Sequence, residues 1–352
     1  MVARSVFVFA CLSFLAPVVQ SEDLTPRVGS VEIYGARKAS VDKIRIAIGA
    51  KPGEPLPARQ DVEDRVSKVP GVLASRAEAT CCVDTRMVLY FGVEEADGPH
   101  VDYHPEPQGD ETLAQDIQDT YHAFLESVPV SIRGKSADED FTAGYSLMAD
   151  SETRTIQEKF RPLVARDLLL IDRVLRDSAD PEQRTAAAYI LQYTPRGPHT
   201  TRIMVDALQY ALRDREENVR GNAMRALKAV AVGAKLHPNQ EIRLEPTWFI
   251  ELMNSIVFSD RRDAALALVN LTDSPDPGAL DLLRQRALPS VLEMAKWHDL
   301  KTALPAFILA GRLAGLDEKE INQAWVSGDR ESVLSAVSSP KKRFHSTPKR
   351  VS

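Results

Sequence analysis

The chain changes its hydrophobic rhythm near residue 98. Before that point apolar positions alternate in short runs. Val31 and Ile33 interleave with Glu32 and Tyr34, and Met87, Leu89, Phe91 and Val93 give the cleanest two-residue period in the protein, the spacing of half-buried strands. Between them Val41, Ile44 and Ile48 recur at helical spacing after Ser40 and stop at Gly49, and Val62, Val66 and Val69 recur likewise before Pro70 and Gly71. Serine before and glycine after an apolar stripe are helix start and stop signals. Residues 72–83 alternate well enough for a further strand, and 84–86 turn the chain. The predicted order over 27–95 is strand, helix, helix, strand, strand.

Residues 96–109 carry Gly98, Pro99, Pro105, Pro107 and Gly109 and read as a linker between domains. From Glu111 the period becomes helical, and no strand is predicted after it. Leu113, Ile117, Tyr121, Phe124 and Leu125 form one amphipathic stripe, and residues 163–176 form another. A motif then repeats. Arg184 precedes Ala187, Ala188 and Leu191; Arg220 precedes Ala223, Met224 and Leu227; Arg262 precedes Ala265, Leu266 and Val269. Lys301 before Leu304, Pro305 and Ile308 is a fainter copy in which Pro305 is an interruption. Apolar residues at fixed offsets from a recurring arginine mark stacked helical units. The fold class predicted for the whole chain is an α+β module of βααββ order, followed by an all-α helical-repeat solenoid over 110–337.

Two resemblances rest on these residues. Stretches 31–35, 44–49, 68–72 and 89–94, with their glycines at turns, resemble a POTRA domain, the polypeptide-transport-associated module of bacterial envelopes. The resemblance implies a three-stranded sheet under two helices that recruits polypeptides by adding a strand at its edge. POTRA modules usually precede a membrane β-barrel, and nothing after Gly98 alternates in ten-residue strands. A generic βααββ packing domain is the plainer alternative. The second half resembles HEAT repeats, carried by the turn from Asp180 through Pro181 to Arg184 and the alanines after it. That resemblance implies helix pairs stacked as a solenoid, with Arg184, Arg220 and Arg262 as a structural ladder.

Offsets of +2, +5 and +9 from each arginine define an opposite face: Ala186, Tyr189 and Tyr193; Asn222, Arg225 and Ala229; Ala264, Ala267 and Leu271. In such stacks this face lines the concave surface. It is poor in charge for a solvated face, so it is either covered by another element, the small module being one candidate, or takes up a partner segment. These nine residues are the candidate protein-binding site.

The ends add a compartment. Arg4, an apolar run from Val6 to Val19, and small Ser21 before Glu22 and Asp23 read as an export signal over 1–21, with an uncleaved anchor as the alternative. Removal of Cys11 with the signal leaves Cys81 and Cys82. On a strand these point to opposite faces, which predicts Cys81 inward and Cys82 outward, and a bond between them would demand a strained local geometry. Residues 338–352 hold Lys341, Lys342, Arg343, Lys349 and Arg350 with no acidic residue, a disordered basic tail suited to contact with an anionic membrane surface. Export places the protein in the periplasm or cell envelope.

Charge and chemistry narrow the function. The chain has 44 Lys+Arg against 50 Asp+Glu, net −6, which disfavours nucleic acid as a partner. His100, Asp102 and His104 could ligate zinc but lie among prolines, and solvated linker histidines are the expected reading. His122, His199, His237 and His298 are scattered. No phosphate loop, nucleophile elbow or metalloprotease motif occurs, so no catalytic, metal or cofactor residue is assigned. The expectation is a non-enzymatic, exported adaptor or scaffold that binds a protein partner. The alternatives are a HEAT-like lyase-type enzyme or accessory subunit of an envelope enzyme, and a helical spacer.

Overall fold

The computed structural model describes residues 25–83, 85–236, 242–273 and 277–338. The segment read as an export signal and all but the first residue of the basic tail lie outside the described residues, as does His237. The described residues form a small N-terminal mixed sheet followed by a helical region, 59% helix among them.

The first unit runs β1 (Val28–Tyr34), α1 (Val41–Ile48), α2 (Arg59–Val66), β2 (Val72–Val83) and β3 (Arg86–Glu95). Ser40 caps α1 by accepting the Lys43 amide, and Gly49 ends it with φ at 66°, a left-handed conformation that costs glycine little. β3 is central, parallel to β1 and antiparallel to β2. Both faces of the sheet are covered. Leu89, Phe91 and Val93 pack with Ala77 on Ile44, Ile48, Val62 and Val66 of the two helices. Val88, Tyr90 and Tyr34, on the opposite parity, belong to the core of the helical region.

That region comprises α3 (Gln115–Arg133), a two-residue strand pair β4 (Glu139–Asp140) and β5 (Leu147–Met148), then α4 (Ser151–Asp177), α5 (Pro181–Ile190), α6 (Pro198–Ala211), α7 (Glu217–Leu236), α8 (Thr247–Leu252), α9 (Phe258–Leu271), α10 (Pro277–Met294), α11 (Leu300–Leu313), α12 (Glu318–Ser327) and α13 (Arg330–Ser338). α5 packs on α7, α7 on α9 and α9 on α11, while α4 contacts α6 and α8 contacts α10. The strand pair is an element that helical periodicity did not predict, and Pro305 lies within α11 without interrupting it.

The recurring arginines are buried connectors. Arg184 donates from Nε to Asp214 at 2.8 Å and from Nη1 to the Ser178 carbonyl at 2.9 Å. Arg220 donates to both Asp260 oxygens, at 2.7 to 3.0 Å, and to the carbonyls of Asp214 and Arg215 at 2.8 Å. Each guanidinium thus pins the turn that enters its own helix and reaches a carboxylate one unit further on. Burial works against the charge of Arg220, and Asp260 more than offsets it, holding the cation above its ordinary range.

The third member is Arg261, not Arg262. Arg261 is 2% exposed, donates to the carbonyls of Ser255 and Asn254, and pairs with Glu293 at 3.0 Å. Its offsets +3, +4 and +7 fall on Ala264, Ala265 and Leu268, all fully buried. Counting from Arg262 instead selects Leu266, which is exposed. Two adjacent arginines left the phase ambiguous by one residue, and burial resolves it. In the fourth copy Pro305 is buried, together with Ala303, Ala306, Phe307 and Ala310, whereas Leu304 and Ile308 are half-buried.

Removing one partner of a buried ion pair strands the other, at a cost of about 3–5 kcal/mol. Arg220→Ala is therefore expected to lower unfolding free energy by that amount in urea titration. Arg262→Ala, which removes a half-exposed contact with its neighbour Asp263 and a longer one over the Phe258 ring, is expected to cost about 1 kcal/mol or less.

Candidate functional site

The predicted concave face is largely filled by the chain itself. Ala186, Tyr189, Tyr193, Ala229 and Ala264 are buried, Asn222, Ala267 and Leu271 are half-buried, and Arg225 is exposed. Tyr189 stacks on Phe124 with ring centroids 4.6 Å apart, and its hydroxyl accepts from Gln157 Nε2 at 2.9 Å. Tyr193 donates to the Ser146 carbonyl at 2.8 Å, and the Ser146 amide donates to Gln192 Oε1 at 2.7 Å. The cover is α3, α4 and the β4–β5 hairpin, rather than the small module. The hairpin reaches further: Glu139 pairs with Arg225 at 3.2 Å, and Lys228 lies 4.6 Å from the Phe141 ring. With Arg261 as the reference, the third segment of the face shifts to Asp263, Leu266 and Asn270. Ala264 is a core position for that reason.

The linker residues are docked rather than loose. The His104 amide donates to the Arg213 carbonyl at 2.8 Å, and its ring stacks on Tyr210 at 4.0 Å. Burial, then the Arg213 charge, hold its imidazole below the usual histidine range. Asp102 pairs with Arg213, and His100 pairs with Glu94. His100, Asp102 and His104 therefore have separate partners, and among the described residues no group of three His, Cys, Asp or Glu is placed to hold a metal. Tyr103 lies over Arg220 at 4.7 Å, as Tyr34 lies over Arg261 at 4.5 Å. Cys81 and Cys82 are both exposed and bonded to each other, against expectation. The register of β2 on β3 shifts between Thr80 and Val83, so strict alternation does not hold there.

A different surface stands open. The sheet order β1-β3-β2 leaves β1 with one neighbour. Its first residues are closed on the outside by a turn, where Val28 donates to the Glu54 carbonyl at 2.8 Å and Gly53 donates to that of Val28 at 2.7 Å. At the other end the His298 amide and Nδ1 both contact Glu32 at 2.8 Å, and the Gly35 amide donates to Glu293. Between these closures lies a cavity of about 1270 Å³, lined by Gly29, Ser30 and Val31 of β1, by Asp42, Arg45 and Ile46 of α1, and by Lys51, Arg86 and His298. Ile46 is 79% exposed. It sits two residues from Ile44, off the buried stripe of α1, and that misplacement was its one signal in the sequence.

The other edge is engaged at one point. Glu63 of α2 accepts the Ala77 amide of β2 at 2.7 Å while also pairing with Arg59 at 2.9 Å, so an outward-facing backbone donor is already satisfied from within the chain.

α1, one wall of the cavity, is set by the turn before it. Glu95 Oε1 accepts the amides of Arg37, Lys38 and Ala39, each at 2.8 Å. Burial pushes this carboxyl up, but the three amides outweigh it and hold it below its ordinary value of about 4.5. A depressed folded-state value contributes stability above the unfolded value and loses it as pH falls through the folded one. Glu95→Gln is thus expected to destabilise at pH 7, with the difference from the parent shrinking as pH falls below the ordinary carboxylate range in urea titrations.

Tyr189→Ala, emptying a filled core position, is expected to cost about 3–5 kcal/mol. Leu266→Glu, on the solvent side of α9, is expected to stay within about 0.5 kcal/mol by the same measurement. Comparison with family models, curated proteins and solved structures finds no match for this chain.

Proposed function

We propose that this chain is a non-enzymatic, exported adaptor of the bacterial cell envelope, a POTRA-like module fused to a HEAT-like helical stack, which holds a polypeptide partner at the open edge of β1. The observation that carries the reading is the contrast between the two edges. β1 opens on a large cavity with an exposed isoleucine on its wall, whereas β2 has its outward amide taken by Glu63. An unpaired strand edge offers a row of backbone donors and acceptors to an incoming extended segment.

The helical stack acts as the frame in this reading. Its inner face is occupied by Tyr189, Tyr193 and the β4–β5 hairpin, and its arginine ladder ends on the sheet through Glu293 and Gly35. Asn222 and Arg225, with Asp263, Leu266 and Asn270 of the shifted third segment, remain as a secondary contact region.

A photo-reactive amino acid placed at Ile46 is expected to cross-link one reproducible protein partner in envelope extract. The same group at Arg225 should give a weaker product, and at exposed Val326, remote in sequence on α12, none. Equal labelling at all three positions, or none at Ile46 in folded protein, would count against the edge as the working surface.

A further inference from the structure

The chemistry of the cavity walls specifies what kind of segment fits. Arg45, Lys51 and Arg86 line the cavity, and among the described residues none of the three side chains has an ion-pair partner. The opposing charges are largely committed. Asp299 caps α11 through the Lys301 amide at 3.1 Å and accepts from the Tyr90 hydroxyl at 3.1 Å and from Thr302. Glu32 is held by His298. Asp42 alone remains, in the first turn of α1, where the helix dipole favours an anion. The cavity therefore has surplus positive charge beside an apolar side chain, Ile46, with Val83 and Pro52 also in its lining.

We propose that the β1 edge takes an extended acidic segment of a partner protein, which adds to the sheet as a fourth strand with its carboxylates facing Arg45, Lys51 and Arg86. This rests on the adaptor reading and adds the partner's chemistry to it. The open part of the edge, from Gly29 to Val31, matches about three residues of strand, roughly 10 Å at the usual rise. Alternate side chains of an added strand fall on opposite faces of the sheet. One set meets Arg45 and Ile46 on α1, and the other meets His298 at the border of the helical region. Backbone pairing supplies affinity without regard to sequence, and the three cations supply selection for carboxylates. At the β2 edge the Glu63 carboxylate already occupies the Ala77 amide and repels an acidic segment there, which favours β1.

The test uses the full chain from residue 22 and a labelled eight-residue peptide alternating glutamate and valine, blocked at both ends. Saturable binding by anisotropy is expected, weakened about tenfold or more by raising salt from 50 to 500 mM. Two controls should each lose about tenfold or more: the same peptide N-methylated at alternate residues, which cannot pair as a strand, and the folded variant Arg45→Glu/Lys51→Glu/Arg86→Glu. A lysine–valine peptide should not saturate. Equal binding of the N-methylated peptide, unchanged binding by the triple variant, or binding only to vesicles rich in phosphatidylglycerol would overturn the proposal. The adaptor reading fails separately. If the triple variant still cross-links its partner at Ile46 at the parental level, the acidic preference is wrong and the adaptor stands. If no partner cross-links at Ile46 in the parent, the adaptor is wrong whatever the peptide does.

Discussion

A guanidinium buried with a carboxylate from the next helical unit is the contact on which this molecule depends. Burying either charge alone would cost several kcal/mol, and here neither is alone. Arg184 meets Asp214, Arg220 meets Asp260, and Arg261 meets Glu293. The turns between helices supply the remaining acceptors, so the residues that end one unit are tied to the cation that begins the next. Asp214 serves Arg184 with its side chain and Arg220 with its carbonyl, and Ser255 donates to Asp260 while its carbonyl receives Arg261. The result is a continuous polar thread through an otherwise apolar stack.

The thread continues into the sheet. Glu293 accepts from both Arg261 and the Gly35 amide, and Tyr34 covers that arginine while donating its hydroxyl to the Ile256 carbonyl at 2.7 Å. Tyr90 stacks on Phe258 at 3.7 Å beside Trp297. Gly92 belongs to the same contact: a β-carbon there would collide with the Ile256 carbonyl. The segment 96–109 follows the course of the ladder, with Tyr103 over Arg220 and Gly109 bonded to both Asp177 and Ala179. What composition marks as a domain boundary is a strap lying along a buried seam.

The parts legible in the sequence were those governed by local rules. The strand and helix order over 27–95, the Ser40 cap, the Gly49 stop and the burial of Arg184 and Arg220 all follow from spacing and turn chemistry. The β4–β5 pair was too short to show a period. Arg261 and Arg262 are adjacent, and only packing could decide between them, so the third segment of the inner face was placed one residue out. Tyr189 and Tyr193 were recognised as unusually apolar for a solvent face, but what covers them arrives from residues 115–177, whose register against α5 is a tertiary fact. The open edge of β1 was the least legible. Which strand is central depends on a parallel pairing between segments some 60 residues apart, and nothing in either segment announces it.

The unequal edges of the sheet set a limit on assembly. Uncovered strands invite copies of themselves, and a sheet open on both sides can grow without end. In this one the carboxylate of Glu63 stands where the next copy's carbonyl would have to go. Addition at the middle of β2 has first to displace that carboxylate, whereas a pairing that uses β1 twice closes on itself as a pair.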